Sequence, residues 1–258
     1  MPVVSSPDFQ VEYAVDGVGS ALFLVHGTGG DADTNFGHLV ERFTDRHTVV
    51  RPNLSGSGRT ADSGAPLTLE LLVDQLVSTV REAGDRPADV LGFSLGAVVV
   101  AAAASAHPEL FGRVVLVAGW AHTDARQELT FDLWRRLERA DHALFVRFLN
   151  LTGWTGRQLN RFGAEGLAPL LASPVPPGTG RQIEFNLTVD IRALLPSITT
   201  PTLVVGFTED QMVPVEHSRA LHRAIPGSRY AELAAGHFGV FERADELTRL
   251  VKDFLYAE

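Results

Sequence analysis

Hydrophobic and polar residues follow two periods along the chain, and together they predict an alternation of strands and helices. From Phe9 to Val15 every second residue is apolar, which indicates a half-buried strand. Unbroken apolar runs such as 21–25 are typical of strands that are buried on both faces of a parallel sheet. The remaining predicted strands are residues 48–50, 88–91, 114–118, 202–206 and 228–233.

Apolar residues at the spacing of one helix face predict the helices between these strands. In residues 69–80 the stripe is continuous, and Thr68 precedes it as an expected N-cap. Strands that alternate with helices predict an α/β fold with a doubly wound, mostly parallel sheet. The other predicted helices are residues 36–43, 97–106, 215–225 and 245–256.

The strand pattern stops after Ala118 and resumes near residue 198. Two amphipathic stretches, 128–151 and 157–171, are followed by a proline- and glycine-rich stretch, 174–180, which we expect to be a loop. Because ligands bind at the carboxyl edge of such sheets, we expect a small helical cap above that edge. The predicted domains are a core of residues 1–119 and 198–258 and a cap of residues 120–197.

Composition and charge narrow the classes of function. The net charge of −9 argues against nucleic acid or an anionic membrane surface as a partner. The absence of cysteine excludes disulfides and thiolate metal sites, and we expect no metal and no cofactor. Residues 1–7 lack the basic region and apolar core of a signal peptide, and no apolar run is long enough for a membrane span. We therefore expect a cytoplasmic protein.

The segment Gly92–Gly96 has the sequence Gly-Phe-Ser-Leu-Gly and lies between a predicted strand and a helix of small residues. Strand, G-x-S-x-G and helix form the context of a nucleophile elbow, in which glycines make room for a sharp turn. The turn holds the serine hydroxyl at the carboxyl edge of the sheet, above the positive end of a helix. The pattern predicts Ser94 as a nucleophile.

A serine hydroxyl needs a base within hydrogen-bond reach. Of the nine histidines, only His26, His122 and His237 lie where a predicted strand delivers them to the active edge of the sheet. His237 lies on a glycine-flanked loop just past the last strand, so we predict it as the base.

The base needs an acid that orients its ring and stabilises its protonated form. Asp210 follows the penultimate strand, on a loop that ends at Pro214, and we predict it as this acid. Asp124 and Glu209 remain alternatives.

Acyl transfer also needs N–H groups that bind the developing oxyanion. The N–H of Leu95 follows the nucleophile, and the N–H of Thr28 lies in the glycine-rich loop after the 21–25 strand. We predict these two groups as the oxyanion hole. The loop lacks the Gly-Lys-Ser/Thr ending of a phosphate cradle, which excludes that alternative.

Four segments carry a resemblance to a known family, namely His26–Gly29, Gly92–Gly96, Asp210–Pro214 and Gly236–Phe238. They occur in the order found in the α/β-hydrolase superfamily, and nearly the whole chain resembles its cofactor-independent esterase, lactonase and C–C hydrolase branch. The resemblance implies the α/β-hydrolase fold and a serine–histidine–acid mechanism, and the insertion stands where that family carries its helical cap. A serine at the elbow argues against the dehalogenases and epoxide hydrolases of the superfamily, which use aspartate there.

The chain departs from the family pattern at two positions. Asn53 stands where aspartate often begins the loop after the third strand, and Ala97 stands where glycine often follows the elbow. Neither change removes a catalytic group, but Asn53 is expected to change how its loop is held.

These residues together predict a serine hydrolase that cleaves a small carboxylic ester or lactone through an acyl-enzyme on Ser94. A C–C bond hydrolase, a thioesterase and a non-catalytic receptor for a small molecule remain alternatives. The expected partner is a small acyl substrate, and a homodimer stays open. Expected substrate contacts adjoin the catalytic positions or belong to the cap: His26, Phe93, Trp120, His122, Trp134, Trp154, Met212, Val213 and Phe238.

Overall fold

The protein is built on a central sheet, which the computed structural model describes within residues 1–83 and 87–257. Residues 84–86 and 258 fall inside the predicted core ranges but lie outside the described residues. The strands are β1 (Val3–Ser5), β2 (Phe9–Asp16), β3 (Ser20–Val25), β4 (His47–Pro52), β5 (Ala61–Asp62), β6 (Ala88–Phe93), β7 (Phe111–Val117), β8 (Thr202–Phe207) and β9 (Arg229–Leu233).

The strand order in the sheet is β1-β2-β4-β3-β6-β7-β8-β9, and β5 pairs with β2. The run from β4 through β3 and β6 to β9 is parallel, whereas β2 pairs antiparallel with β1, β4 and β5. The prediction of a mostly parallel, doubly wound sheet is therefore confirmed. Strands β1 and β5 were not predicted, because three and two residues are too few to show a period.

Helices cover both faces of the sheet. They are α1 (Leu69–Ala83), α2 (Leu95–Ala106), α3 (Ala125–Ala140), α4 (His142–Gly153), α5 (Gly156–Ala172), α6 (Thr179–Asn186), α7 (Val215–Ala224), α8 (Gly239–Glu242) and α9 (Ala244–Leu255).

Successive residues of one strand face different layers of the core. Phe23 packs in the cluster that α1, α2 and α7 cover, and Leu22 packs in the cluster that α9 covers. Both faces of β3 are thus buried, as its unbroken apolar run predicts.

Two helix predictions need correction. Residues 37–42 form a 3₁₀ helix rather than an α-helix. The predicted stretch 128–151 is two helices, because Asp141 adopts an extended backbone and its side chain accepts the N–H of Leu144 as the N-cap of α4. Because the apolar residues keep their helical spacing on both sides of this break, the sequence pattern does not reveal it.

The proline- and glycine-rich stretch 174–180 is not wholly a loop. Its last two residues begin α6, which the sequence analysis missed. Proline and glycine favour loops only locally, and α6 is held by contacts with distant residues that are described below.

Helices α3 to α6, which we call the helical insertion, lie in the chain between β7 and β8. Within it α3 packs against α4 and α6, and α4 packs against α5. The insertion occupies the region that was predicted as a cap, while the domain limits at 120 and 197 stay a prediction. Among the described residues, no helix is both long and apolar enough to cross a membrane.

Candidate active site

Ser94 occupies the turn between β6 and α2. Its backbone angles are φ 54° and ψ −118°, a conformation that L-residues seldom adopt and that sharp functional turns retain. Glycines allow the turn: a Cβ on Gly96 would lie 2.1 Å from the Val25 carbonyl oxygen, and one on Gly92 would lie 2.4 Å from that of Gly96. The sequence therefore folds here only with glycine on both sides of the serine.

Ala97, one of the two departures from the family pattern, has a compensating neighbour. A Cβ on Gly119 would lie only 2.6 Å from the Cβ of Ala97. The glycine thus stands on the neighbouring segment, after β7, and leaves space for the extra methyl group of Ala97.

Ser94, His237 and Asp210 form one line of hydrogen bonds. Ser94 Oγ lies 3.0 Å from His237 Nε2, and His237 Nδ1 lies 2.7 Å from Asp210 Oδ2. The second carboxylate oxygen, Oδ1, accepts the N–H groups of Met212 and Val213, each at 2.8 Å. An ionised carboxylate only accepts, so Nδ1 donates and Nε2 is left free to take the serine proton.

The two alternative acids lie elsewhere. Glu209 forms a surface ion pair with Arg157 at 2.6 Å. Asp124 caps α3, and its Oδ2 lies 3.3 Å from His217 Nε2. Burial lowers the pKa of His217, and the charge of Asp124 opposes this shift. The structure thus brings only Asp210, of the three carboxylates considered, to His237.

The loop of residues 26–30 lies against the serine. A Cβ on Gly27 would be 3.0 Å from the Cβ of Ser94. Asn35 Oδ1 accepts the N–H of Gly27, and Gln182 Oε1 accepts the N–H of Gly29, each at 2.8 Å. In the described part of the chain, the N–H groups of Thr28 and Leu95 donate to no protein acceptor. Both N–H groups are thus unengaged by other parts of the described chain, and their role as oxyanion donors stays a prediction.

His26 belongs to the scaffold of this loop, contrary to its prediction as a substrate contact. The ring is fully buried; Nε2 accepts the N–H of Leu54 at 2.9 Å, and Nδ1 donates to the Gly27 oxygen at 2.8 Å. Burial holds the pKa of His26 below its ordinary value, which suits this neutral tautomer. Neither ring nitrogen is left for a ligand.

Asn53, the other departure, joins three parts of the core. Its Oδ1 accepts the N–H of Ala32 at 2.7 Å, and its Nδ2 donates to Oε2 of the buried Glu12 at 3.1 Å. Burial raises the pKa of Glu12, but hydrogen bonds and charge from Arg59 outweigh burial and hold that pKa below its usual value. An aspartate at 53 would have no donor for this carboxylate, which explains the asparagine.

Aromatic residues surround the base. The rings of Phe93 and His237 lie 5.1 Å apart, and the Trp154 ring lies 5.2 Å from Phe238. Met212 and Val213 are buried beside Asp210, which they hold through their backbone N–H groups. These five side chains are gathered around the histidine, where a substrate contact stays a prediction.

The other predicted contacts lie towards α3. Trp120 is fully buried, packs on Phe131 with ring centroids 5.6 Å apart, and donates Nε1–H to Thr123. Trp134 packs edge-on against Phe131, with ring centroids 5.3 Å apart. His122 is half-buried on a bridge to Asp190. Trp120 and Trp134 are therefore part of the packing between the insertion and the sheet.

The helical insertion contacts the loops of the site at two junctions. At the first, the Gly153 oxygen accepts the N–H of Phe238, and Glu242 binds the N–H and hydroxyl of Thr155 at 2.7 and 2.8 Å. This fixes the α4–α5 connection onto the loop that carries His237. Ser94 and His237 are only 7% and 3% exposed.

The second junction is α6, whose functional residues the sequence analysis missed. Gln182 binds Gly29 as well as the oxygen and hydroxyl of Ser55 and Ser57, and Asn186 Nδ2 donates to Thr28 Oγ1 at 2.8 Å. The spacing of the two amides, four residues apart, puts them on one helix face. This four-residue spacing was the only signal of the two contacts in the sequence, and it indicates a shared face only if the segment is known to be helical.

Among the described residues, no group of three or more histidine, aspartate or glutamate side chains could hold a metal ion.

Comparison with known proteins gives consistent findings. A model of the alpha/beta hydrolase family matches residues 22–250. The pyrrolizixenacetamide deacetylase of Xenorhabdus hominickii is 40% identical over 263 residues, which cover 100% of this chain and 99% of the relative. The pimeloyl-[acyl-carrier protein] methyl ester esterase of Neisseria meningitidis is 27% identical, with 91% and 93% covered. The crystal structure of the enol-lactonase from Burkholderia xenovorans is similar with a TM-score of 0.87, 25% identity, and 98% and 99% of the two chains covered.

Proposed function

Since the chain belongs to the alpha/beta hydrolase family, we propose that it is a serine hydrolase that cleaves a carboxylic acyl bond through an acyl-enzyme on Ser94. One observation carries the proposal, the unbroken line of hydrogen bonds from Ser94 Oγ through His237 to Asp210, at 3.0 and 2.7 Å. Nothing in the packing of the fold requires these three side chains at three separate strand ends. Hydrolase relatives also favour an enzyme over the receptor alternative.

The proposed reaction follows from the protonation states of the three hydrogen-bonded side chains Ser94, His237 and Asp210. His237 Nε2 takes the proton of Ser94 Oγ as the oxygen attacks the acyl carbon, and the N–H groups of Thr28 and Leu95 bind the oxyanion. Asp210 stays ionised and stabilises the charged imidazole. The proton then passes to the leaving group, which departs. Water enters, loses a proton to His237 and adds to the acyl carbon; the bond to Ser94 Oγ then breaks, His237 returns the proton to Ser94 Oγ, and the acid is released.

The substrate we propose first is a small ester or lactone, as the apolar and aromatic residues around His237 suit an uncharged acyl compound. A second candidate is the removal of an acetyl group, which is favoured by the deacetylase relative of full matching length. Both candidates use the same acyl-enzyme.

Turnover of short p-nitrophenyl esters by wild-type protein and by Ser94→Ala tests the proposal. We expect kcat to fall by about 10⁶-fold in the variant, because its nucleophile is gone. A matched control is Ser105→Ala at the far end of α2, whose hydroxyl contacts Ser197 and which should keep wild-type activity. A correctly folded Ser94→Ala protein with activity within a hundredfold of wild type would refute the mechanism.

A further inference from the structure

Unpaired polar atoms are concentrated in the helical insertion. In the described residues, six buried side-chain nitrogen or oxygen atoms have no hydrogen-bond partner, and four of these belong to α3 and α6. These four atoms are Gln127 Oε1, Gln127 Nε2, Trp134 Nε1 and Asn186 Oδ1. Unpaired buried polar groups reduce stability, so a cluster of them in one place needs a functional account.

Asn186 is joined directly to the loop of residues 26–30 that lies against Ser94. Its Nδ2 donates to Thr28 Oγ1 at 2.8 Å, and its backbone oxygen accepts the hydroxyl of Thr123 at 2.5 Å. The first bond holds the carboxamide against Thr28, the residue that we propose supplies one oxyanion donor, and the second holds the backbone at the end of α6. The side chain is 1% exposed, and its Oδ1 is an acceptor without a protein donor.

An acceptor in this position distinguishes an amide from an ester. The nitrogen of an amide or carbamate carries an N–H next to the scissile carbon, whereas an ester oxygen carries only lone pairs. In the ground state, resonance fixes the N–H direction. Once Ser94 has added to the carbonyl, the C–N bond is single, and the N–H can turn towards an acceptor beside the oxyanion. A bond gained only in that state raises kcat rather than binding.

We infer that Asn186 is a specificity-determining residue, whose Oδ1 accepts the N–H of an amide or carbamate in the transition state and so extends the acyl-enzyme chemistry from esters to these substrates. The inference rests on the proposed acyl-enzyme at Ser94. Gln127 adds to the polar character of the region, because both atoms of its amide are unpaired on the buried face of α3 that packs against α6.

Two probes with the same acetyl and aryl groups test the inference, 4-nitroacetanilide and 4-nitrophenyl acetate. We expect wild-type protein to hydrolyse both. In Asn186→Leu the ratio of anilide kcat to ester kcat should fall about tenfold, the factor that one neutral hydrogen bond supplies, with little change in the ratio of KM values. Asn186→Asp keeps an acceptor and should keep the wild-type ratio of the two rates. Both rates should fall, because the new carboxylate places a negative charge beside the oxyanion.

Gln182→Leu is the matched control, since it removes a buried amide from the same helix and the same loop. All polar atoms of Gln182 are paired within the protein, so both rates should fall together and the ratio should stay unchanged. If Asn186→Leu does not fold, Asn186→Ala removes the same acceptor.

The outcomes separate this inference from the proposed function. An unchanged ratio in Asn186→Leu, or hydrolysis of the ester alone by wild type, overturns the role of Asn186 and leaves the acyl-enzyme in place. Failure of wild type with both probes, together with no fluorophosphonate adduct on Ser94, overturns the proposed function itself.

Discussion

Replacing Asp210 by asparagine should reverse the proton arrangement of His237 without changing the shape of the site. Oδ1 of Asp210 accepts two backbone N–H groups, from Met212 and Val213, so the amide oxygen must take that position. The amide nitrogen then takes the place of Oδ2 and points an N–H at His237 Nδ1. Nδ1 must accept, the ring proton moves to Nε2, and Nε2 can no longer take the proton of Ser94.

The size of the effect follows from this loss of the base. The same exchange in a serine–histidine–aspartate triad lowers kcat by about 10⁴, which corresponds to about 5.5 kcal/mol of transition-state stabilisation. Stability should change little, because both backbone hydrogen bonds are kept. Asp210→Ala, by contrast, leaves the buried N–H groups of Met212 and Val213 unpaired and should unfold more easily.

The assay is kcat for p-nitrophenyl acetate, with the fold checked by circular dichroism and thermal unfolding. Glu209→Gln is the matched control, since it makes the same chemical change one residue away in a surface ion pair with Arg157. An exposed pair contributes about 0–1 kcal/mol, so the control should keep wild-type kcat. The reasoning fails if Asp210→Asn folds and keeps kcat within tenfold of wild type, or if Glu209→Gln loses as much.

Two further predictions concern stability. Asn53→Asp removes the donor to Glu12 and sets two carboxylates together in the core. The free energy of unfolding should therefore fall by about 3–5 kcal/mol. An unchanged midpoint of urea unfolding would contradict the role of Asn53. Burial lowers the pKa of His26 and of His217, so below about pH 6.5 the unfolded chain binds protons that the folded chain does not. The free energy of unfolding should therefore decrease as the pH falls from 6.5 to 5, by up to about 1.4 kcal/mol per pH unit for each histidine. A free energy of unfolding from urea titrations that does not change over this pH range would refute the prediction.

Local patterns in the sequence were sufficient for the sheet, apart from the short strands β1 and β5, and for the proposed triad. Ser94, Asp210 and His237 lie one, three and four residues past the ends of β6, β8 and β9, and the ends of parallel strands meet at one edge. Gly92 is required by a contact within its own turn, whereas Gly96 is required by the carbonyl oxygen of Val25 on the neighbouring strand, so the local G-x-S-x-G motif also reports a tertiary contact.

The errors have a different origin. Gln182 and Asn186 were overlooked because α6 is an eight-residue helix in a stretch that begins with proline and glycine, and contacts with residues 28–57 hold it. His26 was misassigned for a related reason: a strand delivers it to the active edge, but its ring is turned inwards by the N–H of Leu54, far along the chain. Both depend on tertiary contacts that no local period shows.

The most direct test of the proposed mechanism is reaction of the wild-type protein with a fluorophosphonate, followed by peptide mapping of the adduct. The proposed arrangement of Ser94, His237 and Asp210 predicts one adduct, on Ser94, with loss of ester hydrolysis in proportion to labelling. Asp210→Asn should label far more slowly, since its His237 cannot take the serine proton. An adduct on another residue, or full ester turnover by protein labelled on Ser94, would contradict the proposed function.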